Sequence, residues 1–307
     1  MKFSYILIVF VSIFSPFQSL AKTVNYNNEL GTLCWPTQFS YENKKAFISD
    51  YKNKRIIFRG KDGRFDKLNI NLKGAHSIRY IKRLGYLIDD TEANKIILIS
   101  DLNNPHADYL DKIAGKQLVR PHDILDGQDG YAYIIDENNL FRIKDFSGKG
   151  DVFPLMKDKL GYVRSLSMMD GKVHIISASM GKVIKIDDFN SGKIVQYQTG
   201  AHKLDDAAGS ADRTGPILNS VIKLGGYYYG SNYFTKSYAG NNDPNPYRLM
   251  RWKSWDDFRK GNFEDISNYL EKNQVPYFLS SHEGKLLLTT FNHEKPCDGD
   301  RAFYFKP

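Results

Sequence analysis

The stretch from Gly74 to Phe146 states nearly the same pattern twice. The first copy reads Ala75-His76-Ser77-Ile78, then Gly85 to Asp90, then Asn94-Lys95-Ile96-Ile97-Leu98. The second reads Pro121-His122-Asp123-Ile124, then Gly130 to Asp136, then Asn139-Leu140-Phe141-Arg142-Ile143. Each copy is a short apolar run, a glycine turn, a longer apolar run closing on Asp, and a third run near a basic residue. Self-similarity at a period of about 40–50 residues marks a repeat architecture, in which each unit buries its faces only against its neighbours.

The same rhythm divides the chain into six units, which open at Pro36, His76, His122, Ser165, Asn219 and Tyr277. Asp170-Gly171, Gly225-Gly226 and Glu283-Gly284 supply the left-handed backbone that tight hairpins need. Short strands joined by such turns, in a chain with 20 Tyr and 19 Phe, predict an all-β fold, a six-bladed β-propeller. The sixth unit lacks an outer strand, because the chain ends at Pro307 just after its third. The segment Thr23–Leu33 is expected to supply it, closing the ring with strands from both termini and removing the open edges.

The two cysteines, Cys34 and Cys297, sit at opposite ends of this ring. In an oxidising compartment one disulfide is the simplest pairing; two separate buried thiols are the alternative. Met1–Ala21 reads as a signal peptide, with Lys2, an uncharged apolar run and Ser19-Leu20-Ala21 at the cleavage site. The expected domain is then residues 22–307, secreted or periplasmic, with no transmembrane segment after cleavage. The formal charge of +8 is spread among acids without a basic run, which reads first as a soluble basic surface, with anionic glycans or lipid as secondary partners and nucleic acid not expected for a secreted protein. A small molecule, a glycan or an envelope protein is expected instead, met by a monomer.

Two polar insertions, Gly200–Pro216 and Thr235–Tyr247, are loops suited to recognition, and Trp255–Leu270 is expected to hold a helical turn outside blade five.

Asp50-Tyr51-Lys52-Asn53-Lys54-Arg55-Ile56 resembles the Asp-x-x-Asn-x-Arg-Ile signature of NHL-type propeller repeats. Asp90 to Ile96 matches it with one insertion, Asp136–Ile143 loosely, and Pro121-His122-Asp123-Ile124 resembles their Pro-x-x-Ile openings. The resemblance covers blades one to three well, blade four faintly, and blades five and six only in period. It implies an NHL-like propeller in the broad group of gluconolactonase-like proteins, paraoxonases and the peptide-amidating lyase domain. A disulfide between the termini is also similar to the paraoxonases.

In a propeller, residues entering the innermost strands surround the central channel on one face. Here they are Gln38 (or Thr37), His76, His122, Arg164, Ser165, Asn219 and Tyr277. A polar ring at the axis calls for a metal, water or a ligand. His76, His122 and Asn219 form a candidate metal set for zinc or calcium, and Gln38, Arg164, Ser165 and Tyr277 a candidate ligand-binding set. The histidines are similar to the channel ligands of the amidating lyase. Leu218-Asn219-Ser220 resembles the Asn-Gly entry of gluconolactonases, with Ser in place of Gly. No acidic residue stands at a blade entry, which departs from the oxygen-rich sites calcium prefers. Asp50, Asp90 and Asp136 are expected to cap turns.

The sequence contains no Gly-x-Ser-x-Gly elbow, Walker loop, His-Glu-x-x-His or paired-Cys zinc pattern. The leading expectation is a ligand- or protein-binding module. The rival is a metal-dependent hydrolase of lactonase or esterase type, or a lyase, with Arg164 or Tyr277 steadying negative charge.

Overall fold

The computed structural model describes residues 22–23, 30–60, 62–154, 161–177, 181–199, 216–232, 247–292 and 294–307. The expected signal segment and nearly all of the two polar insertions, with His202, lie outside these residues. Six four-stranded antiparallel sheets are arranged as the blades of a β-propeller. Blade one comprises Pro36–Glu42, Lys45–Asp50, Arg55–Arg59 and Phe65–Lys67, and blade two Ala75–Ile81, Gly85–Asp90, Lys95–Ile99 and Ala107–Leu110. Blade three comprises Asp123–Asp126, Ala132–Ile135, Leu140–Ile143 and Asp151–Val152. Blade four is built from Val163–Met169, Lys172–Ser177, Lys182–Asp188 and Lys193–Gln198, and blade five from Leu218–Leu224, Tyr227–Asn232, Leu249–Trp252 and Glu264–Asp265.

Middle strands are buried on both faces because each sheet is sandwiched between two others. Successive side chains point to opposite faces of a strand, so Phe47 packs toward blade two while Ile48 packs toward blade six. Six apolar clusters result, one at each blade-to-blade interface. A one-residue slip would exchange the two cores of a blade, so its register is strongly specified. The hairpins between first and second strands turn on paired left-handed residues, among them Asp170-Gly171 (φ 52° and 69°) and Glu283-Gly284 (φ 48° and 73°).

Blade six has Gln274–His282, Lys285–Asn292 and Arg301–Phe305, and its outermost strand is Lys22–Thr23 from the other end of the chain. Lys22 pairs with Tyr304 and Thr23 with Phe303. Leu30 and Leu33 enter the apolar cluster between blades six and one. Cys34 and Cys297 are joined in a disulfide across 263 positions of sequence. The ring is therefore closed by backbone pairing, by core and by covalent bond.

The helical turn outside blade five is a helix at Trp255–Lys260, started by Ser254, whose side chain accepts from the Asp257 N–H, and ended by left-handed Gly261. Trp255 carries it against blade four, stacking on Tyr197 at 4.1 Å and on buried His174 at 5.7 Å. Among the described residues no helix is long and apolar enough to cross a membrane.

Candidate functional site at the channel mouth

The repeated aspartates hold the blade entries. Asp50 accepts a hydrogen bond from the Cys34 N–H at 2.7 Å, Asp90 from the Gly74 N–H at 2.8 Å, and Asp136 from the Val119 N–H at 3.0 Å. In each case the end of a blade's second strand fixes the loop leading into its own first strand. This is a capping role, and it explains why the motif recurs at the entries of blades one to three.

Below the entries, side chains of the innermost strands bond each blade to the next. Thr37 Oγ1 donates to His76 O (2.8 Å), and the Ile78 N–H donates to Gln38 Oε1 (2.8 Å). Arg79 Nε donates to Ile124 O (3.0 Å), and the Leu166 N–H to Asp123 Oδ2 (2.9 Å). Ser165 Oγ donates to Asn219 O (2.8 Å), Asn219 Nδ2 to Tyr277 O (2.6 Å), and Ser280 Oγ to Phe39 O (2.6 Å). Every one of the six joins is thus crossed. Gln38, Ser165 and Asn219 belong to this girdle, although Gln38 Nε2 and Asn219 Oδ1 stay buried without a hydrogen-bond partner among the described residues.

The other four candidates meet in one circuit at the mouth. His76 Nδ1 lies 3.0 Å from His122 Nδ1, and His122 Nε2 lies 3.1 Å from Tyr162 Oη. The Arg164 guanidinium sits 4.5 Å over the Tyr162 ring, and Nη1 donates to Tyr277 Oη at 3.3 Å. Tyr277 returns edge-on to His76, with centroids 6.5 Å apart. His76, His122, Tyr162, Arg164 and Tyr277 therefore form a closed loop of contacts. With one proton between the two Nδ1 atoms and both rings neutral, one imidazole carries its proton on Nδ1 and the other on Nε2.

Burial sets the electrostatics. His122 is pushed down to about 3, first by desolvation and then by the Arg164 and Arg120 charges. His76 is held well below the ordinary histidine value by burial, by His122 and by the same arginines. Both are neutral at physiological pH. Because the folded value of His122 lies below the unfolded one, its contribution to stability is present above about pH 6.5 and fades as pH falls toward 3. Asp123 follows His122 but turns away from it, to Arg79 and the Leu166 N–H.

The charged groups that bear on the imidazoles are guanidiniums, and Asn219 commits its amide nitrogen to blade six while its Oδ1, the atom a metal would take, stays buried without a partner among the described residues. Among the described residues, the one trio of His, Cys, Asp or Glu side chains close enough to share an ion is Cys34, Cys297 and Asp300, whose sulfurs are already bonded to each other. Arginines beside neutral nitrogen donors favour an anion. Of the remaining histidines, His282 stacks on Tyr41 at 3.8 Å and His106 is exposed, both away from the circuit.

The sequence reading missed the outer layer of the mouth. Tyr51 packs edge-on to His76 at 4.7 Å and donates its hydroxyl to Glu92, which also pairs with Arg120 at 3.0 Å; Arg120 reaches Glu137 at 3.1 Å. Tyr51 and Glu137 directly follow the repeated Asp50 and Asp136, so the repeat register held the signal. Arg120 and Trp35 occupy matching places, each just before the proline that opens its blade, and both are left-handed (φ 45° and 51°). Such a backbone costs about 1–3 kcal/mol in a bulky residue and persists where the surroundings impose it.

No family model matches the chain, and no curated protein matches it. Solved structures do. A gluconolactonase from Xanthomonas campestris superposes with a TM-score of 0.63 at 11% identity, over 90% of this chain and 87% of that one. A catalytically inactive histidine-to-alanine variant of virginiamycin B lyase from Staphylococcus aureus, with quinupristin, gives 0.60 at 14% identity over 92% and 98%. A streptogramin B lyase gives 0.59 at 12% over 94% and 97%. The expected likeness to gluconolactonase-like propellers is met, and at these identities it is a likeness of fold. The chain is a six-bladed β-propeller whose structural neighbours include gluconolactonase and streptogramin B lyase propellers.

Proposed function

We propose that this protein is a binding propeller that takes a small molecule with an anionic oxygen at its channel mouth. The observation that carries the proposal is the closed circuit of His76, His122, Tyr162, Arg164 and Tyr277, in which a guanidinium stands beside two imidazoles kept neutral. Both His122 nitrogens and His76 Nδ1 are engaged within the circuit, so His76 Nε2 is the imidazole nitrogen left to meet a ligand, and Arg164 offers charge. The inter-blade girdle fixes the strands that carry them, so little ordering accompanies binding. The leader read in the sequence of Met1–Ala21 and the Cys34–Cys297 bond support a secreted or periplasmic site of action.

D-gluconate, a polyhydroxy carboxylate, is a suitable probe for calorimetric titration. Arg164→Gln is expected to weaken its binding about 10- to 100-fold, the effect of losing a hydrogen bond to a charged group. Equal affinity in the two proteins contradicts the proposal.

A second reading is turnover at the same place. It is supported by the fold likeness to lactonase and lyase propellers. Hydrolysis of glucono-1,5-lactone above the spontaneous rate, with kcat falling in His76→Gln by a much larger factor than gluconate affinity, selects that reading over simple binding.

A further inference from the structure

We infer that the ligand is amphipathic, a carboxylate joined to a planar apolar group, and that Trp35 is the residue that selects it. The inference rests on the anion-binding reading of the mouth.

Apolar clustering in this fold follows the blades, and six clusters account for the six interfaces. A seventh belongs to none of them. It gathers Val275, Tyr277, Phe278 and Phe291 of blade six with half-buried Trp35 against it. Trp35 stacks on Phe291 with centroids 5.3 Å apart, and Phe291 meets Tyr277 edge-on at 6.2 Å. Tyr277 is also the residue whose hydroxyl receives Arg164. An aromatic ledge therefore runs without a break from Trp35 into the cationic circuit.

The backbone of Trp35 is held in place from several sides. Its N–H donates to Asp300 at 2.7 Å, the N–H of Cys34 before it to Asp50, and Pro36 follows it. Left-handed backbone is unfavourable for a bulky residue, and glycine would meet the same requirement without strain. Lys52 Nζ lies 4.9 Å over the Trp35 ring and 5.2 Å over that of Tyr51, adding positive charge beside the ledge. A guanidinium at one end and stacked rings at the other match a carboxylate with an aryl group.

The test uses the mature chain, residues 22–307, and three probes: propionate, 3-phenylpropionate and the uncharged 3-phenylpropanamide. The expected result is binding of 3-phenylpropionate about tenfold tighter than propionate, with the amide weaker than either. Trp35→Gly should remove that gain and leave propionate affinity unchanged. If Trp35→Gly loses the fold, Trp35→Leu, which keeps bulk without the ring, takes its place with the same expectation. Equal affinities for the two carboxylates, or a gain that survives loss of the ring, overturn the inference while Arg164→Gln still weakens both acids. Insensitivity of both acids to Arg164→Gln overturns the anion reading and the inference with it.

Discussion

Replacing Cys34 and Cys297 together by serine is expected to lower unfolding stability by about 5 kcal/mol, the chain-entropy value for so long a closed loop. In a chain of this size that corresponds to a fall in Tm of roughly 8 °C. The bond spans 263 positions and ties the segment leading into blade one to the loop before the last strand of blade six. Among the described residues the outermost strand pairs Lys22 and Thr23 with Tyr304 and Phe303. Urea denaturation of the oxidised wild type and the double variant measures the difference. A loss below about 1 kcal/mol would show that the Trp35–Asp300 bond and the shared core close the ring unaided.

Arg79→Met is expected to cost about 3–5 kcal/mol at pH 7, the usual result of leaving buried charges without their partner. Arg79 is partly buried (14% exposed), where it pairs with Glu42 at 3.1 Å and with buried Asp123 at 3.4 Å and also crosses the joint to Ile124 O. Asp89 lies in the same layer, accepting from the Ser77 N–H and hydroxyl. Burial and the Asp123 charge push Asp89 well above the ordinary carboxylate range, and burial raises Asp123 as well. For a group whose folded pKa is raised, stability is fully present below the unfolded value near 4 and is lost as pH rises through the folded value. Without Arg79 these carboxyls titrate higher still, so the deficit of the variant should grow from about pH 4 toward neutrality. Chemical denaturation across that range checks both size and slope; a deficit independent of pH would mean that Arg79 acts through packing alone.

Fold and site were not equally legible in the sequence. Period, hairpin turns and the short sixth unit reported the architecture because a propeller repeats one local solution, and Asp50, Asp90 and Asp136 repeat with it. The channel entries were legible too, since the same register that aligns the blades brings His76, His122, Arg164 and Tyr277 to one axis. What a shared register cannot show is the direction each polar side chain takes. Asn219 and Ser165 look as available as His122, yet they turn sideways to bind the neighbouring blade. Tyr162 and Trp35 take their part in the mouth from contacts with neighbouring blades, Tyr162 with His122 and Trp35 with Phe291 at the far end of the sequence, which a single repeat does not reveal.

The measurement that tests the account most directly is the nitrogen-15 spectrum of the imidazoles at pH 6, before and after addition of D-gluconate. The account predicts that His76 and His122 are both neutral in the free protein, each with one protonated and one bare ring nitrogen, and that gluconate shifts the signals of this pair. Charged imidazoles at pH 6 without ligand, or signals that stay fixed while calorimetry shows gluconate bound, would contradict it.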